Sequence, residues 1–171
     1  MKNYLSLAVI LAIVLMITTC RPPSGEDIPL ETVILEGGGD SRAYFEPKPK
    51  IAVATSPEEV DMLKASLSPN DRDTLQDMDL SADFVVAAFQ GRKNTGGYRI
   101  EIISVRQSGN QVYVVANFVT PTPGKPVLTT VTSPYHVIKV KQADLVRKGR
   151  ITFILMNTSG RAAAKTVHEV R

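Results

Sequence analysis

Tryptophan is absent from this 171-residue chain, histidine occurs twice and cysteine once. A single cysteine excludes an internal disulfide framework and a thiolate-rich metal site, so a folded domain has to rest on apolar burial. The two histidines, His136 and His168, stand far apart with no partner at ligand spacing, which leaves no foundation for a zinc or redox centre. No serine has the setting of a nucleophile elbow, and no glycine-rich dinucleotide pattern opens a helix. Hydrolase chemistry and nucleotide binding are therefore unsupported. Net charge is only +3, with 20 basic and 17 acidic residues spread along the chain, which argues against a nucleic-acid partner. The reading is of a non-enzymatic protein with no cofactor and no metal.

What is present begins with an export signature. Lys2 supplies a positive start, and an apolar run broken only by Ser6 follows from Leu5 to Ile17. That run falls short of the about 20 residues a spanning helix requires and suits the core of a signal peptide. Residues 1–19 are therefore expected to be removed. The only cysteine, Cys20, follows directly, and its position resembles the lipobox of bacterial lipoproteins, with Thr19 and Ile17 at the flanking positions. A lone thiol in an oxidising compartment usually has a dedicated use, here lipid attachment at Cys20; ordinary secretion with an incidental cysteine is the alternative. The expected location is the cell membrane or outer membrane, on the extracytoplasmic side. Residues 20–29, rich in Pro, Ser, Gly and acidic side chains, read as a flexible tether.

From residue 30 to residue 157 the pattern predicts a single globular domain. Leu30 to Leu35 reads as a strand stopping at Gly37, Gly38 and Gly39, and Ile51 to Ala54 as another. Ser56, Pro57, Glu58 and Glu59 form a capping box, predicting a helix from Pro57 to about Leu67 with Val60, Leu63 and Leu67 on its apolar face. The continuous run Phe84 to Phe89 suits a central strand. Tyr98 to Val105 changes face midway, which predicts a bulge, and a turn at Ser108, Gly109 and Asn110 pairs it with the alternating strand from Val112 to Val119. After a proline loop at Pro121, Pro123, Gly124 and Pro126, two more strands are predicted at Tyr135 to Val140 and Ile151 to Met156. The tail, 158–171, shows no long apolar period and reads as flexible. The fold class is α+β, mainly β: an antiparallel sheet of about five to seven strands with one capped helix packed on it.

Two stretches stand out as candidate protein-binding elements. In the first, Asn94, Thr95, Gly96, Gly97 and Tyr98 combine a glycine bend, hydrogen-bonding side chains and an amphipathic ring. In the second, Ser133, Pro134, Tyr135 and His136 enter a strand just after Pro123 and the proline loop. Each alone is also compatible with a structural role, as a hairpin bend and an edge strand.

Together they carry a resemblance. Phe89, Gly91, Thr95, Gly96, Gly97 and Tyr98, followed by Pro121, Pro123, Gly124 and the run from Thr130 to His136, resemble the C-terminal domain of the protease complex subunit PrcB family, over roughly residues 84–140. The resemblance implies a noncatalytic, surface-anchored accessory protein that binds or stabilises an exported protein, a protease being the implied partner. A competing resemblance is that of Asn94 to Tyr98 to the threonine, glycine and aromatic loop of chagasin-type cysteine protease inhibitors, which implies a loop-wedge inhibitor.

Overall fold

In the computed structural model, which describes residues 27–41, 43–76 and 78–171, nine strands form two sheets. The signal peptide, Cys20 and most of the expected tether lie outside the described residues.

The organising element is β4, Asp83–Phe89. Its side chains alternate between two apolar clusters: Phe84, Val86 and Ala88 enter one, while Val85, Ala87 and Phe89 enter the other. A strand apolar on both faces needs cover on both, and each fully buried Phe or Val contributes about 1.5–3 kcal/mol. On one side the cover is a second sheet. On the other it is α1, Pro57–Lys64, with the 3-10 turns at Pro69–Asp71 and Asp73–Leu75.

The four-stranded sheet has the order β2, β7, β4, β3, with β2 at Thr32–Asp40, β3 at Lys50–Ala54 and β7 at Pro134–Lys141. The five-stranded sheet has the order β1, β5, β6, β8, β9. Here β1 is Ile28–Pro29, β5 is Arg99–Ser108, β6 is Gln111–Val119, β8 is Gly149–Asn157 and β9 is Ala162–Val170. The mainly β class agrees with expectation, but there are two sheets rather than one, and β6 pairs with β8 in parallel.

Local signals set several elements. The Ser56 hydroxyl accepts the Glu59 N–H, and the Glu59 carboxylate accepts the N–H of Ser56. Burial works against the charge on Glu59, yet the N–H and hydroxyl of Thr55 hold it below the ordinary carboxylate range. Helix α1 ends at Lys64, earlier than expected, while Leu67 beyond it is still fully buried. In β5 the bulge lies between Ile102 and Ser104. It turns Ile103 outward, 55% exposed, and returns Val105 to the core face beside Ile100 and Ile102.

Four expectations need correction. The glycines at 37–39 do not end a strand but lie inside β2; at one of them, Gly39, the Cβ of any other residue would overlap the phenol of Tyr135 beneath it. The tail is not flexible through 162–170: it is β9, laddered to β8. The tether ends before residue 28, since Ile28 and Pro29 pair with Gln107 and Arg106 and the Leu30 N–H donates to Val105 O at 2.9 Å. Strand β7 is no edge. It lies between β2 and β4 with seven paired positions on the β4 side.

The Gly39 contact predicts that Gly39→Ala loses about 3 kcal/mol, the upper range for overpacking a filled site. Urea unfolding should show a lower midpoint with an unchanged slope.

Candidate functional site

Two loops, 90–98 and 120–133, leave the same end of the two sheets and are bound to each other. The Lys93 N–H donates to Thr132 O at 2.7 Å and the Thr132 N–H returns to Lys93 O at 2.9 Å. The Thr132 hydroxyl reaches Thr95 O at 2.9 Å, and the Gly96 N–H donates to Leu128 O at 2.9 Å. The glycine pair has a spatial reason. A Cβ at Gly96 would press on Leu128, and Gly97, at φ +84°, has Pro121 and Val127 against it. Gly91, at φ +79°, lies under the backbone carbonyls of Pro47 and Lys48, while the Arg92 N–H donates to Glu46 O at 2.8 Å.

The result is a single tip whose outer face carries Leu128, 77% exposed, Val131, 51% exposed, and Val127. Lys93 Nζ stands 5.5 Å from the centre of the half-buried Tyr98 ring, and burial holds its pKa below the ordinary lysine value. Arg92, Lys93, Arg99 and Lys125 are the charged residues of segments 90–100 and 118–134, which contain no Asp or Glu. An apolar centre on loops whose own charged residues are all basic is a surface suited to binding rather than to solvent alone.

The candidate residues divide. Asn94, Thr95, Gly97, Tyr98 and Pro123 have exposed or half-buried positions on the tip, and Gly96 is buried within it. Ser133, Pro134, Tyr135 and His136 are all buried, so the second constellation is not a contact surface. Leu128, Val131 and Val127 were missed. Their signal was available: three bulky apolar residues in a proline-rich loop that has neither helical nor strand periodicity.

Tyr135 and His136 have structural work instead. The Tyr135 hydroxyl donates to Asp71 Oδ2 and accepts the Ser68 N–H at 2.9 Å, while its ring packs on Phe89 at 5.7 Å. Burial, reinforced by Asp71, pushes its pKa up to about 12. His136 faces the opposite side, between the sheets. There its Nδ1 accepts the Ile102 N–H at 3.3 Å, at the stretch of β5 that short β1 leaves uncovered. Burial lowers the His136 pKa, with Glu101 opposing. The second histidine, His168, places Nε2 3.0 Å from Thr55 Oγ1 and 3.3 Å from Glu59 Oε2. Both partners meet the same nitrogen, so the ring does not bridge a hydroxyl to a carboxylate as a catalytic relay does. Among the described residues no group of three His, Cys, Asp or Glu side chains could hold a metal.

Residues 84–141 match the model of the PrcB C-terminal family. This span runs from β4 to the end of β7, includes both tip loops and coincides closely with the resemblance carried by the glycine and Ser-Pro-Tyr motifs. No curated protein and no solved structure matches the chain.

A neutral His136 favours the fold. Its folded pKa lies below the unfolded value of 6.5, so the stability it contributes is fully present above that value and is lost as pH falls through the lowered folded one. Thermal unfolding across pH 4.5–8, on the order of physiological to mildly acidic, should show this acid loss in the native protein. His136→Asn, which keeps an acceptor but does not titrate, should lack that component.

Proposed function

We propose that this protein is a non-enzymatic accessory subunit, held at a membrane surface by lipid on Cys20, that docks an exported protein partner through the tip formed by its two loops. The match over residues 84–141 suggests a protease-complex-associated accessory role, which makes an exported protease the partner class to seek. The observation that carries the reading is the tip itself: Val127, Leu128 and Val131 are held outward by loops whose backbones bond to one another. A presented apolar patch of this kind costs little conformational entropy on binding, since the loops are already ordered.

Position supports the same reading. The chain enters the domain at Asp27, paired to Arg106, and β1 lies along Arg106 and Gln107. The tip begins at the other end of the same strand, at Arg99. Seven residues of strand separate the two by about 23 Å at roughly 3.3 Å per residue. The tip thus lies at the far end of β5 from Asp27, which supports its facing a protein partner rather than a lipid on Cys20. Its basic rim suits an acidic border around an apolar site on that partner.

Two experiments test this. Leu128→Asp with Val131→Asp alters exposed side chains and should leave thermal unfolding unchanged while reducing recovery of cross-linked envelope partner at least tenfold. Equal recovery would remove the tip from the interaction. Cys20→Ser should move the protein from the membrane pellet to the soluble fraction, and continued sedimentation with membranes would remove the lipid anchor.

A further inference from the structure

The five-stranded sheet ends at β9 and the four-stranded sheet at β3, and no ladder joins these two edges among the described residues. Instead a groove runs between them in three adjoining hollows. A hollow of 410 Å³ is lined by Lys48, Lys50, Ala164 and Lys165, and one of 210 Å³ by Lys50, Val53, Met62 and His168. The third, of 740 Å³, is lined by Glu58, Glu59, His168 and Glu169. Lys50 borders the first two, and the contact of His168 with Glu59, 3.3 Å, stands between the last two.

Three properties of this groove point to one kind of occupant. Its wall is a strand edge. From Ala164 to Val170 the ladder between β9 and β8 is regular, and among the described residues no strand pairs with the outer side of β9, which leaves backbone N–H and C=O groups at alternate residues as a free edge. Its middle holds exposed Met62 from α1 beside Val53 and Leu63, and exposed Val167 from β9 lies in the adjoining third hollow. Its ends are opposite in charge. Lys48, Lys50 and Lys165 outnumber Glu46 at one end, whereas Glu58, Glu59 and Glu169 outnumber Arg171 at the other.

We propose that this groove is a peptide-binding site in which an extended segment of a partner protein adds as a strand to the free edge of β9, its acidic residues toward Lys50 and Lys165 and its basic residues toward Glu58 and Glu169. Main-chain hydrogen bonds to β9 hold the segment, and alternate side chains reach the hollow beside Met62. Strand pairing favours the antiparallel direction, so the segment begins with its basic residues. The span from Ala164 to Val170 is about 20 Å at roughly 3.3 Å per residue, which accommodates seven or eight residues. The site is separate from the tip and does not depend on what docks there.

The test uses the intact protein and two fluorescein-labelled peptides, Lys-Arg-Thr-Val-Thr-Val-Glu-Asp and Glu-Asp-Thr-Val-Thr-Val-Lys-Arg, followed by fluorescence anisotropy. The first should bind at least tenfold more tightly, and amide hydrogen exchange should show new protection at 164–170. Lys165→Glu combined with Glu169→Lys changes two exposed side chains and reverses the charge order along β9. Lys48 and Lys50 at one end and Glu58 and Glu59 at the other remain, so that variant should lose the preference and bind the two peptides about equally. Absence of binding, equal affinity of the native protein for the two peptides, an unchanged preference in the variant, or protection confined to other segments would each overturn the proposal.

Discussion

The ring of Tyr135 is the point on which the four-stranded sheet, its outer cover and the base of the tip all rely. Its phenol reaches out of the sheet to Asp71 and the Ser68 N–H, which fixes the 3-10 turn that follows α1. Strand β2 passes over the same phenol at Gly39, so the ring sets how closely β2 can approach β7. Immediately beyond, the Ser133 N–H donates to Asp40, and the Ser41 N–H donates to Ser133 O at 2.8 Å. The loop carrying Leu128 and Val131 therefore ends on a backbone anchored on both sides. A buried phenol with both its donor and acceptor capacity used can hold such a junction without the cost of an orphaned polar group.

This also explains which features were legible in the sequence. The capping box at Ser56, the two-sided apolar run of β4 and the bulge in β5 are local patterns, and each carries its own physical cause. The burial of Tyr135 and His136 is not local. Whether a strand such as β7 sits at an edge or in the middle depends on partners far away in the chain, and β2, which covers it, is separated from it by most of the domain. Strand β9 escaped notice because Ala162, Ala163 and Ala164 give a weak apolar period, while its place is secured by pairing with β8.

The same distinction holds at the functional end. The glycine and proline motifs located both loops, because conformational punctuation is readable residue by residue. Their mutual hydrogen bonds, and the outward presentation of Leu128 and Val131, depend on tertiary contact between segments well separated in the chain, Lys93 to Gly96 with Leu128 to Thr132. What reads as two separate motifs is one surface.

The parallel pairing of β6 with β8 has a consequence for how the molecule comes together. The span 84–141 cuts across both sheets, contributing β4 and β7 to one and β5 and β6 to the other. Neither sheet is finished without strands from outside it: β2 and β3 come from before, β8 and β9 from after. Such long-range closure slows folding. The four-stranded sheet can close once β7 has been made, whereas the five-stranded sheet waits for β9, so the family-matched portion is a recognisable slice of the domain but not a unit that matures by itself.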